Sequence, residues 1–269
     1  MKVIHLTDLH ISPDPVMNCD SIEPCEAALR HIARFHTDAD LIVVTGDLSD
    51  HGDRESYLKL RQLLMDAGLA DDPRLRLLLG NHDDRKVFQS VFPETPKDSN
   101  GFTQWAEKTE SGLFVYLDTH EPGTNTGHFC EDRSAWLDAT LSSAQADNTP
   151  AWLFMHHNPT PVHVLSADSI GLLNGSSFRT LIGKYRDIVR HIAFGHCHFT
   201  LSGSLHGVPL SANRGTARAL WPGVEQPQPR FATGPLERHY NVMLINDEST
   251  VIHSIDFERQ DEVVYLGSD

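Results

Sequence analysis

The sequence predicts an α/β fold, and three observations carry that expectation. Short, nearly continuous apolar runs recur at residues 2–6, 41–45, 75–79, 151–155 and 188–194. Segments with helical spacing separate them, which is the pattern of strands covered on both faces by helices. Each run ends in Asp, Asn or His, where an open α/β sheet binds its ligands.

The elements follow in order. Residues 2–6 form the first strand and 7–15 the loop after it. Glu23 and Pro24 open a helix, because proline suits a first turn and acidic side chains suit the positive end of the dipole. Ala27, Leu29, Ile32, Ala33 and Phe35 give that helix its apolar side. Residues 41–45 form a buried strand, 53–67 a helix stopped by Gly68, and 75–79 the next strand. This β-α-β-α-β order predicts a right-handed parallel arrangement. A short helix follows over 84–90. Residues 101–105 and 112–118 are expected as an antiparallel pair, and 120–129 as a loop. A helix over 132–143 turns Trp136, Leu137 and Leu141 to the sheet, and 151–155 is a strand. A long loop spans 159–175, a length that usually marks function or mobility. Residues 177–185 form a helix and 188–194 a strand. Beyond 198, short strands are expected at 199–205, 208–211, 240–246, 250–256 and 262–267, with hairpin turns at His206-Gly207 and Asn246-Asp247. Residues 222–235, rich in Pro, Gly and Gln, form a surface loop or cap.

Composition bounds the function. The chain has 269 residues, 39% of them hydrophobic, with a mean hydropathy of −0.32. One large domain over 1–269 is expected. No apolar run approaches the roughly 20 residues that span a bilayer. The first residues enter a strand without a signal-peptide pattern, so a cytoplasmic protein is expected. The formal net charge of −15 and the lack of a Lys/Arg stripe argue against nucleic-acid and membrane partners. They leave a small phosphate ester open, since cations supply positive charge locally. Cys19, Cys25, Cys130 and Cys197 form no CxxC pair, which argues against a disulfide framework or a thiolate zinc site. Cys197 is read as a packing residue.

The chemistry lies at the strand ends. They carry Asp8-Leu9-His10, Gly46-Asp47, Gly80-Asn81-His82-Asp83, His156-His157 and Gly195-His196-Cys197-His198. Taken singly, each fits turn or capping chemistry; five in succession point to metal binding. Asp8 and His10 are two apart and, at a strand end, can both turn onto one ion; His196 and His198 have the same spacing. Asp47 has two oxygens with which to bridge two cations, and Asn81 offers an amide oxygen. This nitrogen and oxygen donor set suits Mn, Fe, Zn or Co. Two cations roughly 3.5–4 Å apart clamp the attacking and leaving oxygens of an in-line displacement, and they make hydroxide available at neutral pH. No Ser or Cys nucleophile has a hydrolase elbow context.

The ordered blocks Asp-x-His, Gly-Asp, Gly-Asn-His-Asp, His and Gly-His-x-His resemble the calcineurin-like metallophosphoesterase superfamily over residues 3–198. Thr45 to Gly52 and Gly80 to Arg85 look most like its class III cyclic-nucleotide phosphodiesterase and glycerophosphodiesterase branch. Asp50, three residues after Asp47, stands where the purple-acid-phosphatase branch has a tyrosine. The resemblance implies a four-layer α/β/β/α sandwich of two mixed sheets flanked by helices, with residues 199–269 completing the second sheet and supplying a cap or dimer contact. It implies one metal on Asp8, His10, Asp47 and His198, and another on Asp47, Asn81, His156 and His196. His82 is carried over as the group that steadies phosphoryl oxygens or protonates the leaving group, and Asp83 as its orienting partner. Asn81, His82, His157, Asn213 and Arg214 are substrate-contact candidates, with packing the simpler reading of His157 and a helix-start ion pair that of Arg85.

The expected activity is therefore hydrolysis of a small phosphodiester by hydroxide held between two metal ions, in a chain that forms homo-oligomers. A phosphomonoesterase, a nucleotide pyrophosphatase and a non-catalytic phosphoesterase scaffold are the alternatives.

Overall fold

The computed structural model describes residues 1–16, 19–259, 262–264 and 266. In chain order its elements are β1 (Lys2–Leu6), α1 (Ile22–Phe35), β2 (Leu41–Thr45), α2 (Arg54–Asp66), β3 (Leu75–Leu78), α3 (Arg85–Val91), β4 (Trp105–Lys108), β5 (Leu113–Tyr116), α4 (Glu131–Ala146), β6 (Ala151–Met155), α5 (Leu165–Asp168), α6 (Ser176–Lys184), β7 (Val189–Phe194), β8 (Leu201–Leu205), β9 (Val208–Ala212), β10 (His239–Ile245) and β11 (Thr250–Asp256).

They form two mixed sheets, ordered β11-β10-β1-β2-β3 and β4-β5-β6-β7-β9-β8. β1, β2 and β3 run parallel, as do β5, β6 and β7; β10, β11, β4 and β8 are antiparallel additions. The period of two along each strand splits its side chains between two cores. On β2, Ile42 and Val44 pack with Leu29 of α1, Leu60 of α2 and Phe88 of α3. Leu41 and Val43 face the other way and join Phe114 and Phe154 of the second sheet. On β6, Leu153 and Met155 pack with Leu137 of α4 and Phe178 of α6. Three cores in succession make the α/β/β/α sandwich. Between the sheets Phe114 stacks on Trp152 and Phe154 at centroid distances of 5.4 and 5.8 Å.

Local chemistry sets the element ends. Asp53 caps α2 by accepting from the Ser56 amide, and Asp84 caps α3 by accepting from the amides of Lys86 and Val87. His206 and Gly207 join β8 to β9 with φ of 53° and 87°, the left-handed pair that a two-residue hairpin needs.

Four expectations are corrected. The strand expected at 101–105 lies at Trp105–Lys108, since the Asp98 carboxylate folds 98–104 into a loop by accepting from the amides of Asn100 and Phe102. The buried side of α1 is Cys25, Ala28, Leu29 and Ile32, whereas Phe35 is exposed. Residues 199–269 do not all complete the second sheet. β8 and β9 join it, but β10 and β11 return to the first sheet, where β10 pairs with β1. Of the strand expected at 262–267, residues 265 and 267 lie outside the described residues, and 262–264 and 266 carry no strand. Among the described residues, no helix is long and apolar enough to cross a membrane.

Candidate metal centre

The carboxyl ends of β1, β2 and β3 meet those of β6 and β7 at one edge of the sandwich. Glycines permit this approach. A Cβ on Gly46 would stand 2.6 Å from the Gly80 nitrogen and 2.7 Å from His156 Nδ1, so only glycine lets the two ligand loops touch. Five of the seven expected ligands have left-handed backbones: Asp8 (φ 55°), His10 (44°), Asp47 (48°), His196 (66°) and His198 (55°). Each such residue costs on the order of 1–3 kcal/mol and persists only where the surroundings fix it, which is typical of functional sites.

The seven side chains converge into two overlapping groups. In the first, Asp8 Oδ1 lies 3.2 Å from His198 Nε2, and His10 Nε2 lies 3.1 Å from His198 Nε2 and 3.5 Å from Asp47 Oδ2. In the second, His156 Nε2 lies 3.1 Å from Asn81 Oδ1, 3.2 Å from His196 Nδ1 and 3.4 Å from Asp47 Oδ2. Asp47 Oδ2 belongs to both. The expectation that the two carboxylate oxygens divide the bridge is refined: Oδ1 instead accepts the His82 amide at 2.9 Å.

The far nitrogens of three histidines are held by acceptors. His10 Nδ1 donates to Asp50 Oδ1 (2.8 Å), His198 Nδ1 to the Arg218 carbonyl (3.0 Å) and His156 Nδ1 to the Thr45 carbonyl (2.7 Å). These partners assign the proton to Nδ1 and turn the Nε2 lone pairs inward. Two inward lone pairs 3.1 Å apart, on His10 and His198, repel unless a proton or cation lies between them. Asp8 Oδ1, fully buried, accepts no hydrogen bond among the described residues. The residues present therefore fit a pair of cations.

Electrostatics agree. Burial pushes His156 down, but the Asp47 charge and its hydrogen bond outweigh this and raise it to about 9. A proton then occupies the place of a cation. Burial holds His10 at about 4 and, with the nearby His156, His196 at about 3. Asp47 lies well below the usual carboxylate range: burial opposes ionisation, but the His156 charge dominates.

The other candidates separate. His82 lines the cavity beside the metal ligands, with its Nδ1 held by the Asp50 carbonyl at 2.8 Å. Asp83 does not orient it. The Asp83 carboxylate accepts from the amides of Leu48, Ser49 and Gly80 and from the Tyr57 hydroxyl, and so staples the two ligand loops together. His157 is buried behind His156 and His196, at ring distances of 4.9 and 4.6 Å, and its Nδ1 meets the Thr119 hydroxyl. Asn213 is buried and donates to the His5 carbonyl, and Arg214 turns to the Glu237 carbonyl and Asp256. These three are not placed as substrate contacts. Arg85 forms a bidentate pair with Asp118. Cys197 is buried in the helix-side core. Asp50 and Arg218 were missed as supporting residues. Asp50 had a local signal, three residues after Asp47; Arg218 had none.

A cavity of about 540 Å³ opens over the site. Ile170, Leu220, Phe231 and Leu236 give its lining an apolar character, and Arg218 and Arg238 line it as well. Part of the Pro-rich stretch, closed by the Trp221 amide donating to the Ala232 carbonyl, thus borders the site.

Known proteins resemble this chain in sequence and fold. Residues 1–199 match the family model described as calcineurin-like phosphoesterase. A Rhodopseudomonas palustris protein named "Probable cyclic nucleotide phosphodiesterase" is 36% identical over 224 residues, 82% of this chain and 80% of that protein. A 3',5'-cyclic adenosine monophosphate phosphodiesterase of Pseudomonas aeruginosa is 26% identical over 98% of this chain and 91% of its own length. The crystal structure of a dimetal phosphatase from Danio rerio superposes with a TM-score of 0.72 at 13% identity, covering 94% of this chain and 95% of that one, and shows the shared fold. Sandwich, ligand order and relatives agree: the chain belongs to the calcineurin-like phosphoesterase family.

Proposed function

We propose that the protein is a binuclear metal-dependent phosphodiesterase acting on a small diester of the cyclic-nucleotide or glycerophosphodiester type. The observation that carries this is Asp47 Oδ2, 3.5 Å from His10 Nε2 and 3.4 Å from His156 Nε2, one oxygen serving two ligand groups below an open cavity. When bound, two cations supply Lewis acidity toward the phosphoryl oxygens and activate water. Asp8, His10, Asp47 and His198 would hold one, and Asp47, Asn81, His156 and His196 the other. Mn, Fe, Zn and Co remain the candidates, in a cytoplasmic setting.

The chain's own groups do the rest. His82 stands at the cavity edge with Nδ1 engaged, so its other ring nitrogen meets the phosphoryl or leaving oxygen. The apolar lining residues accommodate an organic substituent. A diester suits the charge better than a monoester. Both cavity arginines are already neutralised, Arg218 by Asp50 at 2.8 Å and Arg238 by Glu258 at 3.0 Å, and a monoester would bring a second negative charge.

The test is a hydrolysis panel with Mn: cyclic AMP, glycerophosphodiesters, bis(p-nitrophenyl) phosphate and phosphomonoesters. Diester hydrolysis that is abolished in Asn81→Ala and His156→Ala supports the reading. Full activity in either variant, or a preference for monoesters, contradicts it.

A further inference from the structure

We propose that Arg218 is a positioning residue that fixes both histidines of one cation, the one held by Asp8, His10, Asp47 and His198. The proposal rests on the two-cation reading above.

Residues 215–220 cross the site as a strap. Thr216 donates its amide to the Thr7 carbonyl (2.9 Å), Ala217 to the Asp8 carbonyl (3.1 Å) and Leu220 to the His198 carbonyl (2.8 Å). Gly215 permits the approach, for a Cβ there would lie 2.7 Å from His198 Nδ1 and 3.1 Å from the Asp8 Cβ. The strap is thus bonded to two loops that carry ligands of the same cation.

Arg218 then acts twice. Its carbonyl accepts a hydrogen bond from His198 Nδ1 at 3.0 Å. Its Nη2 donates at 2.8 Å to Asp50 Oδ1, the same oxygen that accepts from His10 Nδ1 at 2.8 Å. The Asp50 side chain is 4% exposed; these two donors hold its Oδ1, while Oδ2 has only the more distant His51 Nδ1 at 3.6 Å. Without the guanidinium the carboxylate can turn, and the His10 ring loses its fixed partner. The second ligand group has a separate support: His156 is held by the Thr45 carbonyl, and the hydrogen bonds of Asn81 and His196 among the described residues go to His156 and Asp8, not Arg218. The effect of substitution is therefore one-sided.

The experiment is a Mn(II) titration of chelator-stripped protein followed by electron paramagnetic resonance, for wild type, Arg218→Met and Arg218→Gln. Wild type takes two equivalents and gives the spectrum of a coupled pair. In Arg218→Met one equivalent binds about 10- to 100-fold more weakly, the usual effect of losing an outer partner of a metal-bound histidine. At Mn levels that fill the tighter site, the spectrum becomes that of a single ion. Arg218→Gln, which keeps a neutral donor on a similar stem, weakens the same equivalent about 10-fold and serves if the Met variant does not fold. Two affinities unchanged from wild type, or equal weakening of both, overturns the proposal. A wild type that binds no Mn pair instead overturns the two-cation reading.

Discussion

The backbone amide of His82 donates to Oδ1 of Asp47 at 2.9 Å, which ties the residue at the cavity edge to the shared carboxylate through the main chain. Substituting the His82 side chain leaves this bond intact. His82→Ala should therefore keep both metal equivalents while kcat falls about 10²- to 10⁴-fold, the usual contribution of a proton-transfer group. Metal analysis beside steady-state kinetics checks this. Loss of metal in parallel with kcat would make His82 a supporting residue of the metal centre.

Asp83→Ala should lower the stability of the metal-free protein. Three buried amides, of Leu48, Ser49 and Gly80, lose their acceptor. Each costs about 1–3 kcal/mol when left unsatisfied, so a loss of at least about 3 kcal/mol in urea unfolding is expected. Unchanged stability with a fall in kcat alone would restore a direct chemical role for Asp83.

The metal-free protein should be most stable near pH 6.5. The Asp47 charge outweighs burial and raises His156 to about 9. Its contribution is complete below the unfolded histidine value of about 6.5 and is lost as pH rises toward 9. On the acid side, burial holds His5 and His196 at about 3 and His10, His191 and His239 at about 4. These groups lose stability as pH falls from about 6.5 through 4. Asp83, raised to about 6 by burial and the Asp47 charge, opposes them over part of that range as one group against several. Bound Mn replaces the proton on His156, so the decline above pH 6.5 should vanish with metal. Urea melts at about pH 5, 6.5 and 8.5, with chelator or Mn, measure this. Metal-free stability that rises from pH 6.5 to 8.5 would contradict it.

The parts of the site that were legible in the sequence are those with a local signature. Asp8, His10, Asp47, Asn81, His156, His196 and His198 each end an apolar run, and a strand end projects such residues toward a common edge whatever lies between. The central strands β1, β2, β6 and β7 were readable for the same reason, since burial on both faces leaves little room for polar residues. What escaped depends on long-range contacts. Nothing near Arg218 shows that its chain crosses back over Thr7 and Asp8. The return of β10 to pair with β1, rather than to extend the second sheet, is a choice of partner that alternation cannot encode. Asp83 sits beside His82 in sequence, but its carboxylate turns into the protein, because three amides and the Tyr57 hydroxyl converge there.

The most direct test of the shared oxygen is anomalous diffraction at the manganese edge from crystals grown with Mn. The account predicts two peaks roughly 3.5–4 Å apart on either side of Asp47 Oδ2, one among Asp8, His10 and His198 and the other among Asn81, His156 and His196. A single peak, or ions bound elsewhere with these side chains unengaged, would contradict it.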